Sequence, residues 1–259
     1  MKKYISLILF FYSLSLLGYG TNASFYTEMD ITSKYTKRGS IYTENKVFQN
    51  YIFANLENFK TSVLNVTGIG DSDGFKDSQI IETVLEFGYN GTLFNYSFIT
   101  NLYDYKANTG EILLQFSKGI WGLSLYSNHY IGVIEKTSSY YGDIGLSYRY
   151  NLLASTYFLL KTQIDFGNGK EIKYIFEDYV KPAPSGGTQQ ELKDEIGIIS
   201  TSVCGELYLR QFAAVYLKGY GCYQKVMNSD VKDKILEDKK LDTFFFGVSL
   251  GITSGYFDF

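Results

Sequence analysis

The chain has 259 residues and a formal net charge of −3, with 24 Lys and Arg against 27 Asp and Glu. A nucleic-acid-binding surface would be basic, so none is implied. Aromatic residues make up 18% of the chain (25 Tyr, 20 Phe), with 25 Gly and only 2 Pro, a mix that favours strands over helices.

The N-terminus has the layout of a targeting segment. Lys2 and Lys3 precede an apolar run from Ile5 to Leu17, which Gly18-Tyr19-Gly20 breaks before the small residues Thr21-Asn22-Ala23. The run is short for a membrane-spanning helix and suits a cleaved signal peptide over 1–23, with a mature chain over 24–259. A retained anchor helix is the alternative. No Cys lies at the junction, so a lipid anchor is not expected. Beyond residue 23 no apolar run is long enough for a membrane helix.

From Phe25 onward the hydrophobic period is two. Phe25, Met29 and Ile31 alternate with Tyr26, Glu28 and Asp30, and the alternation is carried on through Lys34 to Arg38. Phe48, Ile52, Ala54 and Leu56 then oppose Gln49, Tyr51, Asn55 and Glu57. Ile81, Thr83, Leu85, Phe87 and Tyr89 oppose Glu82, Val84 and Glu86. Trp121, Leu123 and Leu125 oppose Ser124, Tyr126 and Asn128. Phe158, Leu160 and Ile164 oppose Lys161, Gln163 and Asp165. Ile199, Thr201, Val203 and Leu207 oppose Ser200, Ser202 and Glu206, and Phe246, Val248, Leu250 and Ile252 oppose Gly247, Ser249 and Gly251.

These runs are about ten residues long, the length of a tilted membrane strand. The connections alternate short and long. Short ones fall near 57–58, 90–92, 118–120, 151–153 and 210–211; long or charged ones span 37–46, 69–80, 106–110, 132–140, 168–195 and 226–241. Both prolines, Pro182 and Pro184, lie in the longest loop, so no strand loses a ladder donor. The pattern predicts an all-β, transmembrane, antiparallel up-and-down β-barrel of about 12 strands, with both termini at the short-turn end. Closure removes the unpaired edges that lipid cannot satisfy. One feature conflicts with a simple register: Phe257 and Phe259 have odd parity, whereas the lipid-facing residues before them are even. A bulge near Ser254-Gly255, or a tail hanging below the barrel, would reconcile the two.

Several stretches resemble a known family. "SKYTKRG" (33–39), Val47-Phe48-Gln49 and "LNVTGIGD" (64–71) resemble the opening of the TorF-type porins, through Ser33, Tyr35, Arg38, Gly39 and Gln49, with Asn65 in addition. "IETVLEFGYNGTLFNYSF" (81–98) is similar to the family's next unit through Glu82, Gly88, Tyr89 and Gly91, and "YYGDIGLSYRY" (140–150) gives a third match. The family's Trp on the third strand is absent; Leu64 stands near that place. The resemblance covers most of residues 24–160. It implies a bacterial outer-membrane barrel surrounded by outer-membrane lipids, without naming a solute.

Parity assigns the charges expected in the lumen: acids Glu28, Asp30, Glu57, Glu82, Glu86, Glu111, Asp143, Asp165 and Glu206, and bases Lys34, Arg38, Arg149, Lys161 and Lys218. Gly39 would free the backbone to leave the ladder at the rim. Arg38 then belongs to a constriction, or is a strut paired with a lumenal carboxylate such as Glu82 or Glu86.

Other candidate chemistry is thin. Ser127 and His129 share the lipid-side parity, the side on which outer-membrane phospholipases carry a Ser–His pair. A nucleophile also needs a group to orient its base, and no Asn or acid stands on the flanking strands at that height; an interfacial aromatic belt is the expectation. The one His and 2 Cys cannot form a zinc site at recognised spacings. Asp71, Asp73 and Asp77 lack the full calcium-loop pattern. No cofactor is expected. Cys204 and Cys222 share the lumenal parity. With a turn at Arg210-Gln211 they would be offset by about five residues, some 15 Å, too far to bridge.

Together these features predict a passive diffusion channel for small hydrophilic solutes or ions, sieving by width and lumenal charge, with no enzymatic role. The alternatives are a structural or adhesive surface barrel whose lumen loop 168–195 plugs, and an outer-membrane phospholipase.

Overall fold

The computed structural model describes residues 23–38, 40–70, 79–103, 107–135, 137–176, 196–212, 214–234 and 242–254. Twelve antiparallel strands form its wall: β1 (Ala23–Thr32), β4 (Val47–Leu56), β5 (Phe59–Gly68), β6 (Ile80–Asn90), β7 (Asn95–Tyr103), β8 (Thr109–Ile120), β9 (Leu123–Ile134), β10 (Tyr140–Leu153), β11 (Thr156–Gly167), β12 (Gly197–Phe212), β13 (Val215–Val226) and β14 (Thr243–Ser254). Each pairs with its sequence neighbours, and β1 closes the ring by pairing with both β14 and β4. Three smaller pieces sit at the long-loop end: the hairpin β2 (Tyr35–Lys37) and β3 (Ser40–Thr43), helix α1 (Gly169–Phe176), and helix α2 (Ser229–Lys234). Residues 1–22, which make up nearly all of the expected signal peptide, Gly39, the acidic loop 71–78, residues 177–195 with both prolines, and the terminal Phe257 and Phe259 lie outside the described residues.

The outer face is an apolar belt. Met29, Leu146, Val203 and Val248 are 43, 45, 48 and 54% exposed, values that suit contact with lipid on a closed barrel. The inner face carries the tyrosines. Tyr216 stands opposite Gly251, Tyr220 opposite Gly247, and Tyr126 opposite Gly145. A Cβ at any of these glycines would fall within the partner's ring. The pairing of a large flat side chain with an absent one explains why the composition is rich in both residues.

Two isoleucines expected on the lipid face are turned inward. Ile81 is the extra residue of a bulge between Val66 and Thr67 on the facing strand, and Ile199 the extra residue of a bulge opposite Asp165–Phe166. One inserted residue reverses the side to which a strand residue points. Ile81 packs with Tyr35, Val47 and Val66, holding the β2–β3 hairpin; Ile199 packs with Tyr141, Ile172, Ile175, Phe176, Val226 and Val231, holding α1 and α2. The long-loop half of the lumen is therefore narrowed from two sides.

The β12–β13 register also differs from the expectation. The strands run to Phe212 and resume at Val215, so Leu209 faces Leu217 and Cys204 faces Cys222 directly. The two cysteines form a disulfide with Cα atoms 4.1 Å apart. The polar Arg210-Gln211 pair looks like a turn in sequence but is the end of a sixteen-residue strand.

Candidate functional site: the lumenal constriction and its charge tiers

Strand β1 ends at Thr32, earlier than the alternation suggested, and the chain bends at Ser33-Lys34 into the β2–β3 hairpin. Lys34 therefore leaves the wall: its Nζ meets Glu44 Oε2 at 2.8 Å and Thr243 Oγ1 at 3.2 Å near the mouth. The next residues enter the lumen. The Tyr35 hydroxyl donates to Glu82 Oε2 at 2.5 Å, and Lys37 donates to the fully buried Glu82 and, at 3.0 Å, to Asn101 Oδ1.

Arg38 goes deepest. Its guanidinium makes a two-pronged contact with Glu111 of β8 (Nη1 to Oε1 at 2.6 Å, Nη2 to Oε2) and also donates to Glu171 Oε1 of α1 at 2.8 Å. The rings of Tyr130 and Tyr141 lie 4.6 and 4.8 Å from its Cζ, within cation–π range. Burial alone would favour the neutral side chain, but Glu111 and then Glu171 outweigh it and hold the Arg38 pKa well above its ordinary value. Its φ of 53° is in the left-handed region, a cost of about 1–3 kcal/mol for a non-glycine residue that charge-assisted bonds to two buried carboxylates offset. The strut expected with Glu82 or Glu86 exists with other partners, because the hairpin folds inward: Glu82 takes Lys37, and Glu86 takes Lys60 at 2.8 Å.

Below the constriction, ion pairs line the wall. Lys218 contacts Glu28 at 2.6 Å, with Tyr26 and Tyr216 hydroxyls donating to the same carboxylate. Lys161 contacts Glu206 at 2.7 Å, and Tyr208 donates to it at 2.6 Å. Three aspartates have neutral partners. Asp30 accepts from Gln49, Tyr220 and Ser249, at 3.2, 2.7 and 2.7 Å. Asp143 accepts from Asn128 at 2.8 Å. Asp165 accepts from Tyr141 at 2.8 Å, Gln163 at 2.6 Å and Ser200. Asp143 and Asp165 are direct cross-strand partners. Nearer the short-turn end, Arg149 lies 4.1 Å over the Tyr157 ring, which stacks on Tyr208 at 4.5 Å.

Glu57 is an exposed turn residue between β4 and β5. Sequence reasoning missed Lys37, Lys60, Glu171 and Arg210. Lys60 was within reach, since it shares parity with Ser62, Leu64 and Val66; Glu171 sits in a segment whose apolar residues Ile172, Ile175 and Phe176 have helical spacing. Among the described residues, nine carboxylates (28, 30, 82, 86, 111, 143, 165, 171, 206) and seven cations (37, 38, 60, 149, 161, 210, 218) belong to the inward side of the wall strands or to the contacts between hairpin and α1; α1 also carries the exposed Lys170 and Lys173.

On the outer face, Ser127 Oγ lies 2.9 Å from His129 Nε2, and His129 Nδ1 lies 2.7 Å from the Tyr140 hydroxyl. The group beside the imidazole is Tyr140, neither the Asn nor the acid that the sequence reading looked for. It is a phenol, without the negative charge that stabilises an imidazolium in a hydrolytic triad, and the rings of Phe116 and Phe166 flank the histidine.

No protein-family model and no curated protein matches the chain. Among solved structures, the chain is similar to the KdgM porin in complex with disordered oligogalacturonate (9% identity, TM-score 0.48, 90% of this chain and 99% of that one). It is also similar to the NanC porin (7% identity, TM-score 0.49, 90% and 100%) and to the outer membrane channel DcaP of Acinetobacter baumannii (8% identity, TM-score 0.37, 90% and 97%). At such identities the likeness is one of barrel architecture, and what the chain does has to be read from its own lumen.

Proposed function

We propose that the chain is a passive diffusion channel of the bacterial outer membrane, exported with a cleaved signal peptide and oriented with its long loops outward. The observation that carries this reading is the lumen itself. Charged and phenolic side chains line it from end to end, inside a wall whose outer face is apolar. Twelve strands tilted near 40° enclose a backbone radius of about 12 Å. The hairpin and α1, joined at Arg38, reduce the extracellular half to a passage for ions and small hydrophilic solutes. Selection then comes from width and from the field of fixed charges on a low-dielectric wall. The TorF-type resemblance fits this reading, because Tyr35 and Arg38 of that motif are the residues that pin the hairpin inside.

A second reading, a non-conducting surface barrel, is favoured by the contact between hairpin and α1, which spans part of the lumen. Planar-bilayer recording of purified, folded protein separates the two. Discrete conductance steps support the channel; their absence at protein levels that give steps with a known porin supports the plugged barrel. The outer-face Ser127–His129–Tyr140 chain is part of the lipid-facing belt in either reading.

A further inference from the structure

One cross-strand row interrupts the apolar belt. Met29 of β1, Asn50 of β4, Asn65 of β5, Thr83 of β6 and Leu102 of β7 are successive cross-strand partners, so their side chains share the outward face. Asn50, Asn65 and Thr83 each stand fourth from the long-loop end of their strand, about 10 Å along the strand from it, and so lie within the belt. Asn50 and Asn65 are the only carboxamides on the outward side of the wall among the described side chains. Outward hydroxyls can turn to their own backbone, and Lys118 and Lys225 stand near strand ends, where a long stem carries the charge to the interface. The Thr83 hydroxyl donates to Asn65 Oδ1 at 2.8 Å, and Asn50 Oδ1 has no hydrogen-bond partner among the described residues. Turning the two amides toward one another would use one N–H of Asn50 and leave the second without an acceptor in the row. The polar site elsewhere on this face is closed on itself, since His129 has Ser127 on one ring nitrogen and Tyr140 on the other.

We infer that the Asn50–Asn65–Thr83 row is an interface between two copies of this chain. Lipid tails offer no hydrogen-bond partner, and carboxamides in a membrane serve as glue between protein surfaces. Copies inserted in the same direction are related by an axis along the membrane normal, so groups at equal depth meet. A two-fold axis sets the row against itself, and a carboxamide is its own complement: the C=O of one copy accepts from the N–H of the other. In a ring of three the row would meet a different face, which carries no carboxamide among the described side chains. The outward neighbours Ala54, Thr61 and Val63 are small or β-branched, which lets two walls approach closely. The pairing belongs to the outer face and holds whether or not the lumen conducts.

The test is the mass of purified, folded protein in a mild detergent, with the detergent's share subtracted, over a dilution series. The account expects about twice the mass of one chain. Asn50→Leu/Asn65→Leu should keep its strand content and fall to one chain's mass at a protein concentration on the order of tenfold higher than the unaltered protein does. A second measurement does not depend on that variant folding. On mild oxidation Asn50→Cys should link copies into dimers on non-reducing gels, whereas Ile144→Cys, on the outward side of β10 across the barrel, should not; the native cysteines are already joined to each other. One chain's mass throughout the series would show that the row meets lipid alone and would overturn the interface. So would a three-chain mass, association unchanged in the double Leu variant, or linking at Ile144→Cys equal to that at Asn50→Cys.

Discussion

Arg38 and Glu171 come from different insertions, 133 residues apart, and their 2.8 Å contact is where the β2–β3 hairpin meets α1 inside the barrel. Glu111 on the wall shares the same guanidinium. Removing the arginine takes from two buried carboxylates the counter-charge that Arg38 supplies, and breaking a buried ion pair in this way costs about 3–5 kcal/mol. Arg38→Ala should therefore loosen the hairpin and α1 without unfolding the wall. The measurement is limited proteolysis of the folded protein, in which β2–β3 and the α1 region should be cut faster while heat-resistant migration of the barrel persists. Unchanged cleavage would show that the hairpin is held by its apolar contacts alone.

The same substitution removes one of the seven inward-side cations named above among the described residues. With an excess of two carboxylates the unaltered channel should be weakly cation-selective at low salt, the preference fading as the Debye length shrinks. Arg38→Ala should strengthen it, and reversal potentials across a salt gradient give the sign. An anion-selective unaltered channel would mean that the lumenal assignment is wrong.

Cys204 and Cys222 should be found linked. Proteolysis without reduction and mass spectrometry should yield one disulfide-joined peptide pair, converted to two peptides by reductant. The bridge closes a separation of 18 residues, worth about 3 kcal/mol in the chain-entropy model. The Cys204→Ala/Cys222→Ala protein should assemble and unfold at lower urea. Two free thiols in the oxidised, folded protein would restore the offset register.

Gly251 faces Tyr216, whose hydroxyl donates to Glu28 at 2.5 Å and meets Tyr26. Gly251→Val puts side-chain atoms where the ring now lies, and overpacking of this kind costs about 1–3 kcal/mol. Loss of the phenol's bonds to Glu28 adds to that. The unfolding temperature should fall, and Gly119→Val, where the added Cβ meets only a backbone oxygen at 3.8 Å, should change it little. Equal effects at the two positions would argue against ring-on-glycine packing.

How much of this was legible before folding depends on which interactions are local. Alternation gave the faces of the wall strands, since Glu28 and Asp30 must part from Met29 and Ile31 whatever the rest of the chain does. The alternation of short and long connections gave twelve strands and their direction. Ile81 and Ile199 were misplaced because a bulge leaves composition unchanged and shifts parity by one residue. The cysteine pair was missed because a polar Arg210-Gln211 looks the same at a turn as on a lumenal strand end. Arg38 was identified, but not its partners. Glu111 and Glu171 meet it only after a loop has folded into the barrel, and no spacing in the sequence encodes that.

Single-channel recording in planar bilayers tests the central claim most directly. The purified, folded barrel should give discrete, long-lived steps whose size grows with salt concentration and changes in the Arg38→Ala protein, which alters the constriction. A correctly folded barrel that gives no steps, while Arg38→Ala gives them, would identify the hairpin and α1 as a plug; a barrel silent in both forms would contradict the channel altogether.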